Sequence, residues 1–459
     1  MSDQSQLFKE ASFSKAPDKE HRRKINFNID KYDTAVKNGK QQFADLDLAR
    51  EKAKNIKWRA LETLNEQLEE FELNFRKKGG KVIWAENAEQ AMEEILTICH
   101  RRNCKSVVKS KSMVTEEIHL NQALEKSGIE SVETDLGEYI QQLDGEAPYH
   151  IVTPAMHKSK EDVAKLFAEK LGTDPHLNPS ELTAVARKIL REKYVQAEVG
   201  ITGANFIISD IGAVAITENE GNARLCTTFP KTHIVIVGIE KVIPSLTDLS
   251  LFWPLLSTYG TGQNMTVYNS IFSGPRQAGE KDGPEEMIVI LLDNGRTNVL
   301  KNEKQRESLY CIRCGACLNT CPIYKNIGGH SYGTTYSGPI GSVITPNMQG
   351  MDEYKHLSFS SSLCGSCTEV CPMRIRLHEL LLDNRKQSVE EGMSDWSEKI
   401  AWKIWRLASL NRKLLNLGTE NVKNKVANKV FADWTKQRSS IEFSHKSFNQ
   451  LWQERKKSK

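Results

Sequence analysis

The sequence from Cys311 to Pro372 determines how this chain is organised. It reads Cys311-Ile-Arg-Cys-Gly-Ala-Cys-Leu-Asn-Thr-Cys-Pro322 and, further along, Cys364-Gly-Ser-Cys-Thr-Glu-Val-Cys-Pro372. Cysteines separated by two residues, with a last cysteine followed by proline, are typical of loops that bind iron-sulfur clusters. We therefore expect an electron carrier here, and the rest of the chain is interpreted in relation to it.

The two motifs predict two sets of ligands. In two-cluster ferredoxins the last cysteine of a motif ligates the other cluster. Applied here, the first cluster takes Cys311, Cys314, Cys317 and Cys371. The second takes Cys321, Cys364 and Cys367. A structural zinc site is the alternative, but zinc favours two separated pairs of cysteines and has no need of seven in this order.

The second motif is one ligand short. Ser361 stands three residues before Cys364, where a further cysteine is expected. This leaves a 3Fe-4S cluster, a 4Fe-4S cluster completed by serine oxygen or another residue, or a 4Fe-4S cluster with an exchangeable iron. In the last case the iron would chelate the hydroxyl and carboxylate of a 2-hydroxy acid. A cluster that only transfers electrons is the alternative.

Composition restricts the remaining classes. A chain of 459 residues predicts two or three domains, and a net charge of +4 does not favour a nucleic-acid partner. A signal-peptide pattern and an apolar run of bilayer length are both missing, which predicts a cytoplasmic protein with at most peripheral membrane contact. The remaining cysteines, Cys99, Cys104 and Cys226, are expected to be small core residues.

Shifts in composition predict four segments. Residues 1–40 form a polar, partly ordered arm, and residues 41–300 form an α/β domain that begins with one long helix over about 41–78. Residues 301–393 form the two-cluster domain, which contains a glycine-rich bridge at residues 327–333 that is too polar to build its own core, and which is held together by metal ligation. Residues 394–459 form a basic helical tail that contains Trp396, Trp402, Trp405, Trp434 and Trp452. The tail is expected to pack as an amphipathic helix, to dock partners or to touch a membrane surface.

Strands alternate with helices through the large domain, which indicates a parallel sheet covered by helices. Helix starts are predicted at Asn87 and at Asn178, where proline and a carboxylate follow the cap. The predicted strands are 81–85, 106–108, 129–132, 150–153, 206–208, 212–216, 233–237, 265–268 and 287–292.

Two stretches of this domain are suited to binding a ligand. Lys109-Ser-Lys-Ser112 lies between a strand and a helix, where amides and lysines converge on an anion. Gly200-Ile-Thr-Gly-Ala-Asn205 is followed by the segment 210–224, in which Thr217, Glu218 and Asn222 stand at a strand end. A capped helix with exposed lysines and a pair of hairpin turns are the purely structural alternatives.

These motifs resemble a known family. Lys109-Ser-Lys-Ser-Met113, Gly203-Ala-Asn-Phe206, Ile216-Thr-Glu-Asn-Glu-Gly-Asn222 and the paired cysteine motifs are similar, in this order, to lactate utilisation protein B. The resemblance implies the fold of the ribose-5-phosphate isomerase and CoA-transferase superfamily, fused to a ferredoxin-type domain with the seven cysteine ligands given above. It also implies oxidation of L-lactate to pyruvate together with a cysteine-rich-domain protein and a second LUD-domain protein. It supplies no catalytic residue, so Glu218 and Lys111 are our candidates.

Three functions follow from these observations. The first is an electron-transfer subunit of a lactate-oxidising complex, because two clusters suit the passage of two electrons one at a time. The second is a catalytic subunit that binds a hydroxy acid or an acyl-CoA in the α/β domain. The third is a scaffold whose clusters are structural. The chain lacks a convincing Gly-x-Gly-x-x-Gly after a strand, so a bound flavin or nicotinamide is not supported.

Overall fold

A computed structural model describes residues 2–415, 417–435 and 438–458 of the chain. It divides into two compact units, Met1–Ser388 and Val389–Lys459. The first unit has ten strands. They are β1 (Lys81–Ala85), β2 (Ser106–Lys109), β3 (Glu130–Glu133), β4 (Val199–Thr202), β5 (Phe206–Ile208), β6 (Ala213–Glu218), β7 (Thr232–Gly238), β8 (Val242–Ile243), β9 (Tyr268–Phe272) and β10 (Glu286–Leu292).

Helices make up most of the remainder. Those before the cysteine motifs are α1 (Asp3–Lys15), α2 (Lys19–Gly39), α3 (Leu46–Glu62), α4 (Leu64–Lys77), α5 (Ala88–Arg101), α6 (Met113–Glu117), α7 (Leu120–Lys126), α8 (Leu136–Asp144), α9 (Lys160–Leu171), α10 (Pro179–Gln196), α11 (Asn222–Thr228), α12 (Leu249–Thr261) and α13 (Arg296–Lys301). Those that follow in the first unit are α14 (Ala316–Thr320), α15 (Pro322–Ile327), α16 (Gly338–Gln349), α17 (Met351–Phe359), α18 (Ser366–Val370) and α19 (Leu377–Glu390), whose last two residues extend into the second unit.

The main sheet confirms the predicted parallel α/β architecture. Six strands run parallel in the order β1-β10-β7-β4-β2-β3. Successive side chains of a strand point to opposite faces, and both faces of β7 are apolar. Ile234 and Ile236 join the core beneath α5 and α7, whereas Val235 and Val237 join a core on the other face. A parallel sheet with both faces covered requires such continuous apolar runs.

A second, smaller sheet stands beside the first, with strand order β8-β5-β6-β9. Its β5–β6 and β6–β9 pairs are antiparallel, and β5 pairs with β8 in parallel. Phe206, Ile207 and Ile208 of β5 are fully or almost fully buried in the core that also contains Val235 and Val237. The two sheets of the first unit therefore share one hydrophobic layer.

The N-terminal segment differs from its prediction. Residues 3–39 form α1 and α2, and Ile25 and Ile29 are fully buried in the main core. Asp18 caps α2 by accepting a hydrogen bond from the His21 amide. The expected partly ordered arm was wrong because a stripe of two isoleucines one helical turn apart is hidden among many charged residues.

The predicted long helix over about 41–78 is two helices. Helix α3 ends at Glu62 and α4 begins at Leu64, because Thr63 leaves the helical conformation with φ −116° and ψ 35°. Leu68 and Phe71 of α4 are buried in the core. Leu48, however, is half exposed.

Two predicted strands are misplaced. Residues 150–153 form an irregular turn, because the His150 imidazole accepts hydrogen bonds from the amides of Val152 and Thr153 that a strand would direct to a neighbour. Pro154 then interrupts any ladder, since it has no amide hydrogen. The strand expected at 265–268 begins at Tyr268 instead, after a turn closed by the Thr266 and Asn269 side chains.

The cysteine region shares its core with the α/β part. Leu318, Tyr324, Ile340 and Leu380 belong to the same buried cluster as Ile25 of α2. Buried apolar side chains therefore contribute to holding this region in place, and metal ligation is not its only source of stability. The region needs no separate core of its own, because many of its apolar partners lie elsewhere in the chain.

The second unit is helical, as predicted. Its helices are α20 (Trp396–Leu410), α21 (Arg412–Leu415), α22 (Glu420–Val430), α23 (Ala432–Thr435) and α24 (Phe448–Lys457). The side chains of Trp396, Trp402, Trp405 and Trp452 are exposed, whereas that of Trp434 lies outside the described residues. Among the described residues, no helix is both long enough and apolar enough to cross a membrane.

Candidate metal centre and the adjoining cavity

Four cysteines from both motifs line one small cavity. Cys311, Cys314 and Cys317 come from the first motif, and Cys371 follows α18 in the second. The first motif can turn this tightly because Arg313 (φ 61°) and Gly315 (φ 78°) adopt left-handed backbone conformations. The structure thus brings together the four residues predicted to hold the first cluster.

The remaining three cysteines form a second group nearer the surface. Burial, followed by the neighbouring Cys321 and Cys364 thiols, raises the pKa of Cys367 to about 11. Cys364 is exposed, and hydrogen bonds from Ser366 lower its pKa. Cys317 of the first group lies close enough to Cys367 for the two thiols to interact. The two groups are therefore adjacent.

The donor geometry fits iron-sulfur clusters better than single metal ions. Among the described residues, the group of three potential ligand atoms found within 4.8 Å of one another is Glu146, His157 and His330, and it contains no cysteine. A tetrahedral zinc ion with Zn–S bonds of about 2.3 Å would draw its sulfurs closer together than that. The thiols instead surround a space, as ligands on different irons of a cluster would.

Backbone amides also point at the sulfurs. The Arg313 amide lies 3.4 Å from Cys311 Sγ, and the amides of Ile323 and Tyr324 donate to Cys321. Those of Met373 and Ile375 donate to Cys371. Hydrogen bonds of this kind stabilise negative charge on sulfur and tune the potential of a bound cluster. The residues present therefore fit the cofactor that the spacing predicts.

Ser361 lies beside the second group in a local turn. Its hydroxyl accepts a hydrogen bond from the Leu363 amide at 3.1 Å, and its carbonyl accepts one from Arg385 at 2.8 Å. Leu363 has a left-handed backbone with φ 54°. The serine hydroxyl therefore supports the loop that presents Cys364.

The α/β part contains a cavity of about 460 Å³ that joins the two predicted ligand-binding stretches. Lys111 and Ser112 line it from the end of β2, and Gly203, Asn205 and Glu218 line it from β4 to β6. In the parallel sheet, the ends of β2 and β4 meet at one edge, so segments distant in sequence converge there. The volume of the cavity is in the range found for sites that bind small molecules.

Both catalytic candidates form hydrogen bonds to the protein's own backbone. Glu218 accepts hydrogen bonds from the Ala223 and Arg224 amides at 2.6 and 3.0 Å, so it anchors the first turn of α11. Burial raises the pKa of Glu218 despite these bonds. Lys111 donates to the Val152 carbonyl. Both residues line the cavity, and their catalytic role stays a prediction.

Sequence reasoning missed the two cations at the floor of the cavity. Lys241 is only 7% exposed and makes no hydrogen bond or ion pair with any described residue. Arg313 reaches the same cavity from the cysteine loop and also lines the small cavity between the cysteines. The position of Arg313 between two ligand cysteines is a signal that the sequence contains. Lys241 belongs to no motif, so the sequence offers no comparable signal for it.

A buried ionic network holds this floor in place. Arg296 forms a two-pronged pair with Glu117, with N–O distances of 2.9 and 2.8 Å, and donates to Glu240 at 2.5 Å. Glu117 also accepts a bond of 2.6 Å from the Tyr336 hydroxyl, and the Arg313 guanidinium stacks 4.2 Å from the Tyr336 ring centre. The α/β part and the cysteine region are therefore connected through charged side chains.

Comparisons with known proteins agree with this division. Residues 68–292 match the model of the LUD domain, and residues 307–375 match that of a 4Fe-4S dicluster domain. Lactate utilization protein B of Bacillus licheniformis is 48% identical over 370 residues, which cover 80% of this chain and 77% of the relative. The chain belongs to the lactate utilization protein B family.

Other members of the lactate utilization protein B family are similar to the same degree. The protein of that name from Bacillus subtilis is 47% identical over 370 residues, covering 80% of this chain and 77% of the relative. A solved DUF162 family protein from Deinococcus radiodurans covers 50% of this chain and 98% of its own, with 13% identity and a TM-score of 0.29. That structural likeness is too low to support an argument. Membership of the family indicates a role in lactate utilisation and the presence of iron-sulfur clusters.

The three other cysteines lie apart from both groups. Cys99 and Cys226 are fully buried, the former in a core formed by α5 and the main sheet, which confirms their prediction as core residues. Cys104 is partly buried at the edge of that core. Neither cysteine group includes them.

Proposed function

We propose that this protein is an iron-sulfur electron-transfer subunit of a system that oxidises L-lactate to pyruvate. The observation that carries the proposal is the pair of adjacent cysteine groups with amides directed at their sulfurs. Cys311, Cys314, Cys317 and Cys371 would hold one cluster, and Cys321, Cys364 and Cys367 would hold the other. When bound, such clusters accept and release single electrons.

The protein's own residues prepare these sites. Arg50 of α3 donates hydrogen bonds to the carbonyls of Glu369 and Cys371 at 2.7 and 2.9 Å, and so fixes the second loop. Burial of Cys314, Cys317 and Cys371 excludes water from the first site. The exposed Cys364 puts the second site at the surface, where a partner protein would make contact. We propose a cysteine-rich-domain protein and a second LUD-domain protein as the partners.

The second site has three cysteine ligands, so we propose a 3Fe-4S cluster, or a 4Fe-4S cluster completed by a non-cysteine group. Electron paramagnetic resonance of anaerobically purified protein, recorded both in the oxidised state and after reduction with dithionite, tests for both clusters, because a 3Fe-4S cluster gives its signal when oxidised and a 4Fe-4S cluster when reduced. Two signals are expected, and a single signal with half the iron would refute the two-site assignment. A change of the second signal on addition of L-lactate would indicate direct binding to that cluster.

We also propose that the α/β part has the fold of the ribose-5-phosphate isomerase and CoA-transferase superfamily. Its six-stranded parallel sheet with both faces covered supports this. An experimental structure of this chain superposed on members of that superfamily tests it. Different strand orders in the two sheets would refute the proposal.

A second candidate function is catalysis within the α/β cavity itself. The cavity favours it, because Arg313 lines both this cavity and the space between the four cysteines. The test is bleaching of the cluster absorbance by L-lactate in the isolated protein. A pure carrier bleaches with dithionite and requires its partners before lactate has an effect, whereas a catalytic subunit bleaches with lactate alone.

A further inference from the structure

The floor of the α/β cavity has an unusual electrostatic feature. Lys241 is buried, and no described residue supplies it with a hydrogen bond or an ion pair. A buried ammonium group without a partner is costly, so proteins normally pair it or use it. Glu240, its neighbour in sequence, directs one carboxylate oxygen to Arg296 and attracts Lys241 only from beyond ion-pair distance.

Arg313 adds a second cation with unused hydrogen-bonding capacity. Its side chain is 11% exposed, and its contact with Glu240 is 3.7 Å, too long for a hydrogen bond. The buried Nη1 group has no hydrogen-bond partner among the described residues. Tyr336 holds the guanidinium from one face at 4.2 Å, so its orientation is fixed before any ligand arrives.

The rest of the wall indicates the size and type of ligand. The cavity of about 460 Å³ is lined by the hydroxyl-bearing residues Ser112, Thr153 and Thr217, and the exposed Glu220 also lines it. A guanidinium and an ammonium on one side match the two oxygens of a carboxylate. The hydroxyl groups suit a further polar substituent on a short carbon skeleton.

We propose that Lys241 and Arg313 bind the carboxylate of a small organic acid at the floor of this cavity. The site lies in the α/β part and is separate from any ligand of the second cluster. Binding there requires no electron transfer, so it can be measured even if the proposed redox role fails. Since Arg313 stands between Cys311 and Cys314, a bound acid would lie beside the first group of cysteines.

Isothermal titration of the full-length, anaerobically purified protein with L-lactate tests the proposal. We expect saturable binding to the wild type, and an affinity about ten- to hundredfold lower for Lys241→Met, because one charged hydrogen bond is lost. Lys231→Met is the matched control, since Lys231 is 75% exposed, does not line the cavity and should leave the affinity unchanged. Cluster absorbance verifies that each variant retains its cofactors.

A second measurement separates loss of binding from loss of folding. Lys241→Met removes a buried charge that makes no hydrogen bond or ion pair with a described residue, but also its longer-range attraction to Glu240, so without ligand the variant should unfold at about the same temperature as the wild type. The neutral amide of lactate should bind at least about tenfold more weakly than lactate itself. Equal lactate affinity in Lys241→Met, equal affinity for the amide, or binding of inorganic phosphate but not lactate would each overturn the proposal.

Discussion

The network around Arg296 makes a demanding prediction for Arg296→Met. Arg296 and Glu117 have side chains that are 1% and 0% exposed, so removing the guanidinium leaves a buried carboxylate without its cation. In the variant, Glu240 still has Lys241 and Arg313 nearby. Among the described residues, the hydrogen-bond donors left to Glu117 are the Asn294 amide and the Tyr336 hydroxyl. The loss of stability in Arg296→Met should therefore come mainly from the unpaired Glu117 carboxylate.

Two arguments give the size of the expected decrease in the free energy of unfolding. Breaking a buried pair by removing one partner costs about 3–5 kcal/mol. Glu117 can limit this cost by binding a proton, which from an ordinary pKa of 4.5 requires about 3.4 kcal/mol at pH 7, at about 1.36 kcal/mol per pH unit. Both estimates agree, so we expect Arg296→Met to lower the free energy of unfolding by about 3–5 kcal/mol at pH 7.

The mechanism also fixes the sign of the pH dependence. In Arg296→Met the folded pKa of Glu117 rises above its unfolded value of 4.5. Its folded state then binds more protons than its unfolded state, so stability is lost as pH rises from the unfolded pKa towards the folded one. The destabilisation should be about 2.7 kcal/mol smaller at pH 5 than at pH 7 if Glu117 is protonated throughout that range.

Urea unfolding under anaerobic conditions, followed by far-ultraviolet circular dichroism at pH 7 and pH 5, measures both the destabilisation and its pH dependence. Arg276→Met is the control, because Arg276 and Glu285 form a 3.7 Å surface pair with side chains 36% and 43% exposed. Such pairs contribute at most about 1 kcal/mol. A loss below about 1 kcal/mol for Arg296→Met, or the same loss at both pH values, would show that the network does not act as a buried ion pair.

Three further predictions concern the clusters, the sheet and a buried histidine. Cys371→Ala should abolish the paramagnetic resonance signal of the first cluster, whose other ligands come from the first motif. Cys321→Ala should abolish the signal of the second cluster. The reverse result would refute the assignment of each motif's last cysteine to the other motif's cluster. Gly200→Ala would place a Cβ atom 1.9 Å from the Cys226 carbonyl oxygen and should lower the free energy of unfolding by about 1–3 kcal/mol, while Gly260→Ala, whose Cβ meets nothing nearer than 3.5 Å, should be tolerated. Comparable midpoints of urea unfolding for the two would contradict this. Burial lowers the pKa of His233 to about 3, so wild-type stability should fall by about 1.4 kcal/mol per pH unit more than that of His233→Gln between pH 6 and 5. Equal slopes in urea titrations at those pH values would exclude a neutral buried imidazole.

The parallel sheet was predictable because its signal is local. Strands β7 and β10 contain the apolar runs 234–237 and 287–292, and the helix after Asn178 begins with a cap, a proline and a carboxylate that all favour one start. The strand predicted at 150–153 was wrong because the same local signal, a short run with apolar residues, is present there. Its backbone amides, however, bond to the side chain of His150, which periodicity cannot reveal.

The cavity was only half predictable. The stretches around Lys111 and Glu218 have polar groups at strand ends, a local feature that sequence reasoning can detect. Lys241 becomes exceptional only because it is buried without a hydrogen bond or ion pair to any described residue, which depends on how β7 and β8 are connected. The arm formed by α1 and α2 was missed similarly, since Ile25 and Ile29 matter only once their partners are in place.

Arg313 shows how a cluster-binding loop acquires a role specific to its host domain. Cysteines at fixed spacing constrain the backbone of such a loop, and the ligand positions themselves cannot vary. The residues between ligands are then the positions at which the loop can contact the surrounding protein. Here the left-handed backbone at residue 313 accompanies a guanidinium that stacks on Tyr336 and reaches the α/β cavity, which Lys241 also lines. A substitution at Arg313 should therefore affect the cavity and the cluster together, whereas one at Lys241 should affect the cavity alone.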